Sequence, residues 1–95
     1  MSDEIIFEFS EEKNRKLRVE RGICFLDIIV LLDEAHILDV VEHPNKERYP
    51  KQKIYIVKID NYAYLVPFVK TGKKVFLKTI IPSRKATAQY ITGRQ

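Results

Sequence analysis

The stretch KIYIVKIDNYAYLVPFVK, residues 53–70, decides the fold of this chain. Its two halves are rich in Ile, Val, Tyr and Phe, residue types that favour β-strands. Asp60 and Asn61 separate the halves and are typical of a tight turn. The stretch therefore predicts two consecutive strands, Lys53–Ile59 and Tyr62–Lys70, joined as a hairpin.

Shorter apolar runs on either side extend this sheet. They predict strands at Ile5–Phe9, Ile37–Val41 and Val75–Ile81. The polar segment His43–Lys53 contains two prolines and is predicted to be a loop. Pro67 lacks a backbone N–H, so we expect it at a sheet edge or a bulge.

Three helices complete the predicted elements. Ser10 is a suitable N-cap and Gly22 a suitable C-terminal residue for a first helix over about Glu11–Arg21. In the apolar run Ile23–Leu32, large residues recur at spacings of three and four, which favours a second helix that faces the core, with a buried strand as the alternative. Ser83 can cap a last helix from Arg84 to about Ile91.

The order of elements is therefore β-α-α-β-β-β-β-α. This order predicts an α+β fold, an antiparallel meander with two N-terminal helices and one short C-terminal helix packed on one face of the sheet. The length of 95 residues fits a single domain, residues 1–95.

The composition restricts the possible partners and compartments. Seventeen Lys and Arg against thirteen Asp and Glu give a net charge of +4, which suits RNA or an acidic protein but also serves solubility alone. Cys24, the single cysteine, excludes an intramolecular disulfide and is best explained as a buried thiol. The start Met1–Glu4 is acidic, and no apolar run is long enough to span a membrane. A cytoplasmic location is expected.

No cofactor or metal site is implied. The three glycines are too far apart to form a phosphate loop, and two histidines with one cysteine lack the spacing of a zinc site. RNA can be cleaved without metal when a base, an acid and cations surround the phosphate. Glu47 is a candidate base, although a solvated loop carboxylate explains it equally well.

Basic residues supply the candidate phosphate contacts, since the guanidinium fork of Arg binds two phosphate oxygens at once. Arg84 and Lys85 stand at a helix start, where cations oppose the helix dipole and so indicate an anion nearby. The candidate RNA-binding residues are Arg15, Lys16, Tyr49, Lys78 and Lys85.

Four segments resemble, in order, segments of the BrnT toxin family. Phe7–Arg15 resembles the opening strand and the helix with its early lysine, and Gly22–Phe25 is similar to the step between the first two helices. Glu47–Tyr49 resembles an acidic-basic-aromatic loop, and Ile80–Ala86 resembles the closing strand with its Arg-Lys-Ala helix start. Arg21 stands where the family has histidine.

The resemblance implies a RelE-like fold and the ribonuclease activity of a type II toxin that inhibits translation. It implies a ribbon-helix-helix antitoxin that covers the active face, with operator DNA bound only by the toxin-antitoxin complex. Carried over by position, the catalytic residues are Lys13, Glu47, Arg48 and Arg84.

Two functions therefore stay open from the sequence: a toxin ribonuclease, and a non-catalytic module that docks an acidic protein or nucleic acid. The ribonuclease hypothesis requires the side chains of Lys13, Arg48 and Arg84 to converge on one phosphate-sized site.

Overall fold

A computed structural model describes residues 4–32 and 35–93 of the chain. Residues Met1–Asp3 of the acidic start lie outside the described part. The elements follow one another as β1 (Ile6–Glu8), α1 (Glu11–Arg21), α2 (Phe25–Ile29), β2 (Ile37–Glu42), β3 (Gln52–Ile59), β4 (Tyr62–Thr71), β5 (Lys74–Leu77), β6 (Ile81–Pro82) and α3 (Arg84–Thr87), which continues as a π-helical turn (Ala88–Thr92).

The fold is α+β, as predicted, but its sheet is mixed. The strand order is β1-β5-β4-β3-β2, with β6 paired to β4 beyond the end of β5. β1 pairs in parallel with β5, while the other pairs are antiparallel. The prediction of a purely antiparallel meander was wrong in this respect, because it considered only strands that follow one another in sequence.

The β3–β4 hairpin is the longest paired unit and confirms the prediction from residues 53–70. Its register runs from Gln52 opposite Val69 to Ile59 opposite Tyr62. Asp60 and Asn61 both have positive φ, 53° and 64°. A two-residue turn with positive φ at both positions matches the right-handed twist of the strands, so it closes the hairpin without a bulge.

Helices cover both faces of the sheet, which corrects the expectation of helices on one face. We call the face that contacts α1 and α2 the front face; there Phe25 and Ile28, both fully buried, pack in the main core with sheet residues such as Val57 and Val66. On the back face Ala86 of α3 packs in a smaller cluster with sheet residues on alternate positions. Alternation of side chains along β3 and β4 separates the two clusters.

A buried hydrogen bond fixes the junction of α1 and α2. The Ser10 hydroxyl accepts the backbone N–H of Lys13 at 3.2 Å, and Gly22, at a φ of 69°, ends α1. Asn14 is only 7% exposed, and its Oδ1 accepts the Phe25 N–H at 2.8 Å. This bond satisfies the Phe25 N–H, a backbone donor at the start of α2. The helix α2 is shorter than the predicted helix, Ile23–Leu32.

Pro67 lies in the central strand β4 at a gap in its neighbour. The predicted strand Val75–Ile81 is divided into β5 and β6, and Lys78–Ile80 between them is unpaired apart from the Lys78 N–H, which donates to the Pro67 carbonyl at 2.8 Å. Because the segment beside Pro67 is irregular, the missing proline N–H does not remove a hydrogen bond between strands.

The C-terminal helix is tied to the back face by polar contacts. Thr87 Oγ1 accepts the Ala63 N–H at 2.8 Å, and the Ser83 N–H donates to the Ala63 carbonyl at 3.0 Å. The Tyr90 hydroxyl donates to Asp39 Oδ2 on β2 at 2.7 Å. These contacts hold α3 across the strands that line the back face.

Asn14→Leu should lower the free energy of unfolding by about 1–3 kcal/mol, because it leaves the Phe25 N–H buried without an acceptor. Urea denaturation measures the change. Arg15→Ala, at the exposed neighbouring position, is the matched control and should shift stability by less than about 0.5 kcal/mol. Equal midpoints for the two variants would contradict this role of Asn14.

The Tyr90–Asp39 hydrogen bond should also make the free energy of unfolding depend on pH in the alkaline range. The hydrogen bond to Asp39 is the main cause that raises the pKa of Tyr90 above its ordinary value, followed by burial and by the charge of Asp39. The contribution of this hydrogen bond to the free energy of unfolding is fully present below the ordinary tyrosine pKa. It is lost as pH rises through the raised pKa of Tyr90. Unfolding free energies measured across that range should fall more for the wild type than for Tyr90→Phe. Parallel curves would exclude this linkage.

Candidate nucleic-acid interface

A basic groove opens on the front face beside the area that α1 and α2 cover. Its volume is about 580 Å³. Three strands and the β4–β5 turn contribute to its lining, which consists of Val40, Lys51, Lys53, Tyr55, Phe68, Lys70 and Gly72. We refer to this set as the basic groove.

Strand alternation explains why these side chains meet. Lys53 and Tyr55 lie two residues apart on β3, and Phe68 and Lys70 lie two apart on β4, so each pair shares a face. Lys53 is the direct partner of Phe68 in the hairpin register. Lys51 directly precedes Gln52, and Lys70 directly follows its partner Val69, so the two lysines lie at the same end of the hairpin.

Two aromatic rings form the floor of the basic groove. The centroids of Tyr55 and Phe68 are 4.0 Å apart and their planes differ by 16°, so the rings stack. Phe68 is buried in the main core, whereas Tyr55 is half-buried. Partial burial raises the pKa of the Tyr55 hydroxyl, so this group is protonated at neutral pH.

No carboxylate in the described part of the chain lies within 4.0 Å of the three lysines of the groove. Among the described residues, the ion pairs within 4.0 Å join Lys46 to Glu42 and Lys74 to Glu8. Glu42 faces Lys53 across β2 and β3. Its pKa is lowered mainly by a hydrogen bond from Lys46 at 2.6 Å and by the charge of Lys46, and to a smaller extent by Lys53. The groove therefore keeps an excess of positive charge.

The loop between β2 and β3 leads into the groove through Lys51. Asn45 Oδ1 accepts the Arg48 N–H at 3.2 Å, and the Asn45 N–H donates to His43 Nδ1 at 3.0 Å. The Tyr49 ring lies 4.5 Å from that of His43 and 5.7 Å from the Arg48 guanidinium carbon. These local contacts order the segment that bears the predicted Glu47, Arg48 and Tyr49.

The fold gives no support to a single phosphate site formed by Lys13, Arg48 and Arg84, because the three residues lie on elements in different parts of the sheet. Lys13 lies in the first turn of α1, directly after the edge strand β1, and Arg48 lies beside β2 at the opposite edge. Arg84 begins α3 on the back face.

The predicted RNA-binding residues are also distributed over several surfaces. Arg15 and Lys16 line a shallow cavity on α1, of about 280 Å³, with Val19 and Glu20. The Lys78 ammonium lies 5.5 Å from the centre of the Phe76 ring. Lys85 is exposed next to Arg84.

The basic groove itself was not anticipated from the sequence. Lys51, Lys53 and Tyr55 stand at alternate positions, so a strand reading that extended to Lys51 places all three on one face. This alternation is visible in the sequence, but Lys70 joins the three residues only through the hairpin register.

Other classes of site find little support in the described part of the chain. Residues 4–32 and 35–93 contain no group of three His, Cys, Asp or Glu side chains that could hold a metal ion. None of the helices in these ranges is long and apolar enough to cross a membrane. Comparison of the chain with family models, curated proteins and solved structures finds no match.

Proposed function

We propose that this protein binds RNA in the basic groove and acts as the toxin of a type II toxin-antitoxin pair with a RelE-like fold. The observation that carries the binding proposal is the meeting of Lys51, Lys53 and Lys70 beside the stacked Tyr55 and Phe68, with no carboxylate of residues 4–32 or 35–93 within 4.0 Å of the lysines.

Charge supports a polyanionic ligand for the groove. Three lysines line one groove, and no described carboxylate lies within 4.0 Å of any of them to offset their mutual repulsion. A phosphate backbone neutralises such a cluster and releases counterions in doing so. Aromatic rings beside the cations favour nucleic acid over a simple acidic peptide, because bases stack on them.

The toxin assignment comes from the ordered sequence resemblance, with RNA as the substrate. The same resemblance suggests a cytoplasmic protein, a ribbon-helix-helix antitoxin as partner and operator DNA bound only by their complex. Lys13, Glu47, Arg48 and Arg84 stay predicted catalytic residues.

A non-catalytic RNA-binding module is the second candidate, and the composition of the groove favours it. Tyr55 is protonated, and Glu42 at the margin is a poor base because its pKa is lowered by Lys46. The groove alone therefore lacks an evident general base, so the binding proposal does not depend on cleavage.

Binding to a short single-stranded RNA should weaken strongly in the double variant Lys53→Ala with Lys70→Ala. Affinity measured by fluorescence anisotropy should fall about tenfold or more, and the slope of log affinity against log salt should become smaller by roughly 1.4, since each lost phosphate contact on a single strand accounts for about 0.7.

The matched control is Lys58→Ala with Lys74→Ala, which removes the same charge from the back face of the sheet and should retain most of the affinity. A greater loss in this control than in the groove variant would contradict the placement of the RNA site.

Expression of the chain alone should arrest growth and shorten cellular RNA, and the groove double variant should relieve both effects. Purified protein, incubated with RNA in the presence and absence of ribosomes, separates cleavage from binding. If the protein binds RNA tightly and the RNA stays intact in both reactions, the ribonuclease hypothesis is excluded and the RNA-binding module is supported.

A further inference from the structure

We infer that Tyr55 is a stacking platform for one unpaired nucleobase, which makes the basic groove selective for single strands and equally tolerant of uracil, cytosine and adenine. This inference rests on the proposed RNA binding and specifies the form of RNA that the groove accepts.

Phe68 covers only one aromatic face of Tyr55, and the ring lines the basic groove. Phe68 stacks on one face of Tyr55 at 4.0 Å between centroids. Phe68 belongs to β4, so the second face of Tyr55 is turned away from that strand. On the other side of β3, the residue facing Tyr55 is Val40 of the edge strand, which is 46% exposed. No further strand lies beyond β2 in the described sheet.

The aromatic and cationic parts of the groove lie at the distances that one strand of RNA requires. Lys53 precedes Tyr55 by two positions on the same face, a spacing of roughly 7 Å. Lys70 lies diagonally across from Lys53, at roughly 7–8 Å. A base on Tyr55 thus has lysines beside it for the adjoining phosphates.

A duplex cannot use this arrangement. Bases in an A-form helix are paired and stacked on one another, and its outer surface offers phosphates and hydroxyl groups in place of free base faces. Only an unpaired base can lie against a ring that is recessed between lysine side chains. The stacking contribution is therefore available to single strands alone.

The lining also accounts for sequence tolerance. Among the described residues that form it, none is Asn, Gln, Asp or Glu, the side chains that read adenine and cytosine edges in pairs of hydrogen bonds. Every base has a flat aromatic face, so stacking on Tyr55 accepts all of them.

Wild-type protein and abasic oligonucleotides give the most direct test. A single-stranded oligouridine should bind about tenfold more tightly than a ribose-phosphate oligomer of equal length without bases, the loss expected for one stacked base. Oligomers of uridine, cytidine and adenosine should agree within a few-fold, and a duplex of equal length should bind more weakly than any of them.

Substitution of the ring provides a second test. Tyr55→Leu should reduce oligouridine affinity about tenfold and leave affinity for the abasic oligomer unchanged, whereas Tyr55→Phe should retain both affinities. Urea unfolding of each variant verifies that it is folded. If Tyr55→Leu does not fold, the comparison of normal and abasic oligomers with the wild-type protein still tests the inference.

The outcomes separate this inference from the proposed function. Equal affinity for normal and abasic oligomers, or tighter binding of the duplex, overturns base stacking and leaves phosphate binding intact. Failure of every RNA to bind at low salt overturns the proposed function, and the inference with it.

Discussion

The register of the β3–β4 hairpin is the constraint on which the rest of the structure depends. Two consecutive positive-φ residues, Asp60 and Asn61, fix it. A shift of β3 against β4 by one residue would exchange the two faces of one strand, because side chains alternate with a period of two. If β3 were that strand, Val57 would leave the main core, and Lys53 and Tyr55 would move from the groove to the face that contacts α3.

The front face of each strand contributes some residues to the core and others to the surface. Tyr55 and Val57 share the front face, but Val57 is fully buried beneath the helices while Tyr55 is half-buried beside them. The groove exists because α1 and α2 leave this part of the front face uncovered. Stability and the candidate interface therefore arise from the same two strands, and a stacked ring pair connects them.

Local signals were sufficient to predict several elements. The bounds of α1 agree with the prediction because Ser10 and Gly22 act on neighbouring backbone groups, and the hairpin agrees because its turn is two residues long. The parallel pairing of β1 and the position of α3 on the back face depend on contacts between distant segments, which periodicity does not encode. The groove was missed for the same reason, since Lys70 reaches Lys53 only in the folded sheet.

The central claim is that RNA lies over the basic groove, away from α3. Titration of the labelled protein with short single-stranded RNA, followed residue by residue through amide NMR shifts, tests this directly. The account predicts the largest shifts at Lys53, Tyr55 and Lys70. Shifts that cluster at Arg84 and Lys85, with the groove amides unchanged, would contradict it.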